Sequence, residues 1–163
     1  MSSHRGRRCL TTQQERAWTA FMHVQLRMHY EMNRQLVRDS GLSLADYEVL
    51  LALSGRPGEV MQVSDLAIEL GWERSRVSHQ LRRMCERGLT ERRPSSTDRR
   101  ATDALLTGEG RRMISAAAPA HLDLVGRLFF DPLPTEVLSS LTEALELVLA
   151  NLRRTGLGAA APD

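Results

Sequence analysis

The sequence predicts a mainly α-helical chain with a winged helix-turn-helix, whose small β-hairpin wing sits between long N- and C-terminal helices. Three observations predict it. Ala67, Gly71 and Val77 have the spacing of two helices crossing at a tight turn: a small residue at the crossing, a glycine free to take positive φ four residues on, and an apolar plug six residues later. Residues 89–106 leave the helical period for two short strands around a polar tip. Nine arginines and only three acids fall between Arg74 and Arg100, a local net charge of +6, whereas the rest of the chain has thirteen arginines against seventeen acids, net −4.

The elements follow in order. Residues 1–10 are polar and Arg-rich and read as a flexible arm. Thr11 to Arg38 runs without Gly or Pro and carries two stripes, Trp18, Met22, Gln25, His29 and Phe21, Val24, Met28, Met32. A helix of that length spans roughly 40 Å, and two stripes demand more cover than one small domain supplies. Gly41 ends it; Ser43 caps a second, shorter helix, for which Leu44, Tyr47, Leu50, Leu51 and Leu53 supply the apolar residues. Ser54–Gly58 is a turn, Val60–Val63 a minor strand, and Ser64 the expected cap of a two-turn helix ending at Gly71.

The next helix spans about Glu73–Arg87, with Val77, Leu81, Met84 and Cys85 inward and Gly88 as its stop. Strands at Leu89–Arg93 and Arg100–Leu106 flank the turn set Pro94–Asp98. Thr107 caps a helix reaching Phe130, which Pro119 is expected to kink or split. After Asp131-Pro-Leu-Pro134, the last helix carries Val137, Leu138, Leu141, Leu145, Val148, Leu149 and Leu152, close to a heptad seam. The expected organisation is therefore an arm (1–10), a long helix (11–42), a winged domain (43–106), C-terminal helices (107–155) and a flexible tail (156–163).

The chemistry points to nucleic acid rather than catalysis. With Val77, Leu81 and Met84 inward, Ser75, Arg76, Ser78, His79 and Arg82 face outward or sideways, and Arg74 stands at the helix start. Small hydroxyls permit a close approach to a major groove, and arginines reach guanine edges or phosphates. There is no Gly-rich phosphate loop and no nucleophile–base set, so no enzyme is expected. Cys9 and Cys85 form no disulfide framework or metal spacing, the five histidines show no ligand pattern, and no cofactor is expected. No apolar run approaches a membrane span and no secretory signal is visible, which points to the cytoplasm.

Val63–Arg112 resembles the multiple-antibiotic-resistance regulator (MarR) family. Leu66-Ala67, Val77-Ser78-His79-Gln80-Leu81, Arg87-Gly88-Leu89 with Arg92, Asp98-Arg99-Arg100, Leu106-Thr107 and Gly110 carry the resemblance. It implies a homodimeric transcription regulator, most often a repressor, on an inverted repeat of double-stranded DNA. The helix at 73–87 would enter the major groove. Arg100 would enter the flanking minor groove with Asp98 bracing its guanidinium, or Asp98 simply forms the turn, and Arg99 shares or takes over the role. Family members commonly answer to small aromatic effectors, for which Trp18, Met22, His29, Tyr30 and Tyr47 are the candidate lining here, against their use as core or dimer contacts. Alternatives are a redox-sensing regulator acting through Cys9, beside Arg7 and Arg8, and a helical protein-interaction module. Trp72 either packs beneath the turn or touches the DNA backbone; His79 bonds a base, a phosphate or neither.

Overall fold

The structure, a computed structural model, describes residues 9–96, 98 and 100–155. The expected arm up to residue 8, Arg99 and the tail from 156 lie outside the described residues.

Helix α1 (Thr12–Ser40) opens with a capping box in which Thr11 Oγ1 accepts from Gln14 N and the Gln14 side chain accepts from Thr11 N. It closes at Gly41. Of its 29 residues only Gln35 and Leu36 are buried, so most of both apolar stripes stays exposed in the single chain. Helix α2 (Leu44–Ser54) has the same device in Ser43 and Asp46. Leu51 is 54% exposed, because α2 buries the Leu50 and Leu53 side and turns Leu51 away.

A 3-10 turn (Pro57–Glu59) leads to strand β1 (Val60–Gln62). Glu59 adopts φ 54°, a left-handed conformation unfavourable to a side chain, and Arg111 Nε holds its carboxylate at 2.8 Å. Helix α3 (Val63–Leu70) begins a residue before the expected cap: Ser64 is already helical, and Gln62 at the cap position makes no side-chain capping bond. Helix α4 (Arg74–Glu86) follows, then β2 (Thr90–Pro94) and β3 (Thr102–Leu106). The sheet is antiparallel in the order β1-β3-β2, with Met61 opposite Ala104 and Arg92 opposite Ala104 on the other side. The minor strand at 60 thus makes the wing sheet three-stranded.

Helix α5 (Gly108–Val125) runs through Pro119 without splitting. Pro119 lies on an exposed face, where the carbonyl it leaves unbonded can be hydrated. A π turn (Gly126–Phe130) and a 3-10 turn (Thr135–Val137) lead to α6 (Leu138–Thr155), which buries no residue within the chain.

The core gathers Leu36, Leu42, Val49, Leu50, Leu53, Leu66, Val77, Leu81, Met84 and Ala104, all with no accessible surface. Each such leucine contributes about 1.5–3 kcal/mol relative to exposure. Cys85, expected among them, is only half-buried at the flank of α4, with Sγ 3.6 Å from Thr90 Oγ1. The Leu-Thr-x-x-Gly stretch closes the lobe: Thr107 Oγ1 donates to the Gly88 and Leu89 carbonyls and accepts from Gly110 N at 2.9 Å. Among the described residues, no helix is long and apolar enough to cross a membrane.

Candidate nucleic-acid interface

The turn between α3 and α4 is built as its spacing requires. Gly71 sits at φ 63°, ψ 33°, which a side chain would strain. Trp72 N donates to the Ala67 carbonyl at 2.9 Å, and Ala67 is buried at the crossing with α4. Glu73 occupies the cap position of α4 without a side-chain capping bond, and no acid lies in the first turn. The first amides of α4 therefore keep their donors and partial positive charge for an anion.

Val77, Leu81 and Met84 face inward as expected, joined by Gln80, which the apolar pattern does not reveal. Ser75, His79 and Arg82 fall on the opposite, exposed side; Arg74 and Arg76 are exposed at the flanks and Ser78 is half-buried. The guanidinium of Arg76 lies 3.9 Å from the centroid of the Trp72 ring. Trp72 is half-buried and packs against the core, so packing beneath the turn is the role that its position supplies.

The basic segment divides into two kinds of arginine. Arg87 is used internally, donating to Asp46 Oδ2 at 2.8 Å and to the Gly41 carbonyl at 2.9 Å. Among the described residues, Arg74, Arg76, Arg82, Arg83, Arg92, Arg93 and Arg100 make no salt bridge, whereas Arg56, Arg111 and Arg112 pair with Glu69, Glu59 and Glu109. Arg83, Arg92 and Arg93 were visible in the sequence only as charge; their exposure adds them to the basic surface.

At the wing tip, Ser95 N bonds the Ala101 carbonyl and Ala101 N the Asp98 carbonyl. Asp98 Oδ1 accepts the backbone N–H of Arg100 at 2.9 Å. Asp98 Oδ1 thus serves the turn, the second of the two roles open to it, and the exposed side chain of Arg100 makes no ion pair among the described residues.

The five candidate effector-lining residues are divided between α1 and α2. Trp18 and Tyr30 are 57% and 58% exposed on α1, His29 is exposed, and Met22 is half-buried. Tyr47 is buried in the core, its ring 4.5 Å from that of His121. The neighbour that sequence reasoning missed is Glu48. Burial pushes its carboxyl above the usual range, and the charges of His29 on α1 and Arg76 on α4 pull it back. Cys9 is exposed ahead of α1. Among the described residues, no group of three His, Cys, Asp or Glu side chains could hold a metal ion.

A family model described as MarR family matches residues 40–101. The solved structure of AbsC, a MarR family transcriptional regulator from Streptomyces coelicolor, is 35% identical, covers 91% of this chain and 100% of that one, and superposes with a TM-score of 0.84. The chain belongs to the MarR family. A second MarR family regulator from the same organism, Sco3205, was solved in complex with DNA; it is 30% identical over 98% of each chain, with a TM-score of 0.86. The transcriptional repressor MprA of Escherichia coli (strain K12) is 26% identical over 108 residues, which take in 66% of this MarR-family chain and 61% of the repressor's length. The MarR family consists of transcription regulators, and the α3-turn-α4 unit with its wing is this member's counterpart of their winged-helix fold.

Proposed function

We propose that this MarR-family chain is a homodimeric, sequence-specific repressor of the cytoplasm that binds an inverted repeat in double-stranded DNA, and that it has no enzymatic activity. The observation that carries the reading is the exposed basic surface of α4 and the wing, whose arginines make no salt bridge among the described residues while the rest of the chain is net acidic. Ser75, His79 and Arg82 face base edges in the major groove, Arg74 and Ser78 the phosphates, and Arg76 a guanine at the groove's side. Arg100, beside Arg99, enters the flanking minor groove, where negative potential concentrates.

The dimer is supported by surface that one chain leaves uncovered. Leu145, Leu147, Val148, Leu149 and Leu152 of α6 are 46–73% exposed, and Trp18, Phe21, Val24, Leu26 and Tyr30 of α1 are 45–62% exposed. Apolar surface on that scale calls for cover, and two copies meeting through α1 and α6 supply it symmetrically. The DNA-bound relative supports duplex DNA as partner, and the E. coli relative supports repression.

The test is an anisotropy titration of the protein against the DNA upstream of its own coding sequence, across a salt series. Tight binding to one inverted repeat that weakens steeply with salt, and by roughly 1–3 kcal/mol in Arg100→Ala, is the expected result. Salt-independent binding, or Arg100→Ala binding like the wild type while folded, would overturn the assignment.

A further inference from the structure

Asp46 is 2% exposed, yet it is a carboxylate, and two of its partners lie far from it in sequence. Its Oδ1 accepts from Gln80 Nε2 at 2.6 Å, and its Oδ2 accepts from Arg87 Nη1 at 2.8 Å and from Ser43 N at 2.9 Å. The same Arg87 donates through Nη2 to the carbonyl of Gly41, the residue that ends α1, at 2.9 Å. The start of α2 is also fastened to α1, since Leu44 N donates to Asn33 Oδ1 at 2.9 Å.

Burying a charge is costly, and well-packed apolar side chains of similar volume often do as well or better for stability. What the network adds is direction. Gln80 and Arg87 are seven residues apart, roughly 10 Å along the axis of α4. Two side chains rooted that far apart on α4 converge on the two oxygens of one carboxylate, a directional brace on the helix that apolar packing does not supply. One carboxylate, through Gln80 on the inner face of α4 and Arg87 at its C-terminal end, thus joins the helix that would read DNA to the end of the long arm that would hold the partner copy.

We propose that Asp46, acting through Gln80 and Arg87, is the positioning residue that sets the angle of α4 against α1, and through it the half-site spacing that the dimer accepts. The inference rests on the DNA-binding dimer proposed above. Two recognition helices reading successive major grooves must stand about 34 Å apart, so a small rotation of α4 about its junction with α1 changes which spacing fits.

The probe is the inverted repeat that the wild-type protein selects from random duplexes, together with the same repeat lengthened or shortened between half-sites by one and two base pairs. Affinities are measured for the wild type, Asp46→Asn and Arg87→Gln; the second variant alters a half-exposed side chain and so spares the core if Asp46→Asn fails to fold. The expected result is that the ratio of affinities between selected and shifted spacings falls about tenfold in both variants, a loss of about 1.4 kcal/mol of discrimination, with the salt slope unchanged. A merely structural role would weaken every spacing by the same factor and preserve the wild-type ratio, and that outcome overturns the proposal. A wild type that selects no repeat overturns the DNA-binding reading itself, and this inference with it.

Discussion

The guanidinium of Arg76 stacks 3.9 Å from the centroid of the Trp72 ring, joining the first turn of α4 to the turn that precedes it. Trp72 is itself anchored, by its packing on the core and by the bond from its N–H to the Ala67 carbonyl. An exposed arginine ordinarily loses rotamer freedom when it binds; one already held over an indole has lost part of it beforehand.

The stack should therefore sharpen base preference rather than raw affinity. Trp72→Leu is expected to lose about 1 kcal/mol of discrimination at the base pair read by Arg76, Trp72→Phe to keep most of it, and Arg76→Ala to lose roughly 1–3 kcal/mol. Affinities for singly substituted operators measure this. Full discrimination in Trp72→Leu would remove the stack from recognition.

Gly110 is a packing constraint. A Cβ there would overlap the Leu89 carbonyl oxygen, lie 2.8 Å from Leu106 Cδ1 and 3.1 Å from Leu50 Cδ2. The backbone oxygen cannot move aside without breaking the bonds from Thr107. Gly110→Ala is expected to cost about 1–3 kcal/mol, the usual range for overpacking, read from the midpoint of urea unfolding. An unchanged midpoint would mean that the start of α5 is looser than its bonds imply.

His121 introduces pH dependence. It is buried against Tyr47, and burial holds its pKa below the ordinary 6.5. The Gln35 amide donates through Nε2 to Asp39 and so presents Oε1 to His121 Nδ1 at 3.3 Å, which puts the ring proton on Nδ1. The unfolded chain binds a proton at this site more readily than the folded one. Stability is complete above pH 6.5 and is lost progressively as pH falls below it, down to the folded pKa. Asp39, held at about 2 by Arg38 and then by Gln35, acts in a separate window: its contribution is present above its ordinary 3.8 and is lost as pH falls toward 2. Thermal melts should fall between pH 7.5 and 5.5 in the wild type and flatten over that interval in His121→Gln. An identical slope in the variant would assign the titration elsewhere.

The exposed apolar face of α6 should report on assembly. Replacing Leu145 and Leu149 by glutamate removes four leucines from a symmetric interface, each worth about 1.5–3 kcal/mol when buried. Even partial burial predicts a loss of at least about 3 kcal/mol, a hundredfold rise in the dimer dissociation constant. Light scattering across a dilution series measures it, with near-wild-type melting of the winged lobe as the control for folding. A double variant that stays dimeric would move the interface away from α6.

Much of the fold was legible because its signals are local. Apolar period, caps and glycines mark helix ends within a few residues, so the Ser43 cap, the Gly71 turn, the wing strands and the Thr107 cap stand within a few residues of where the sequence placed them. Where a local rule failed, solvent was the reason: Pro119 stays within α5 because its face is exposed, and Leu51 points outward because α2 needs only one buried side.

The candidate site was legible as a set of residue types and a charge cluster, but not as a set of partners. The sequence leaves Asp98 as either a brace for a side chain or a turn former, and the contact present is the one to a backbone amide. Arg87 is one of the nine arginines of the basic segment, and it is bound to Asp46, 41 residues away in the chain. The sequence by itself determined the helix-turn-helix, the wing and the concentration of arginine, since each depends on period or composition within a short window. Only the tertiary structure decided which arginines remain free for a ligand and which are spent inside, because a buried carboxylate takes the nearest donor in space, and distance along the chain does not tell which donor that is.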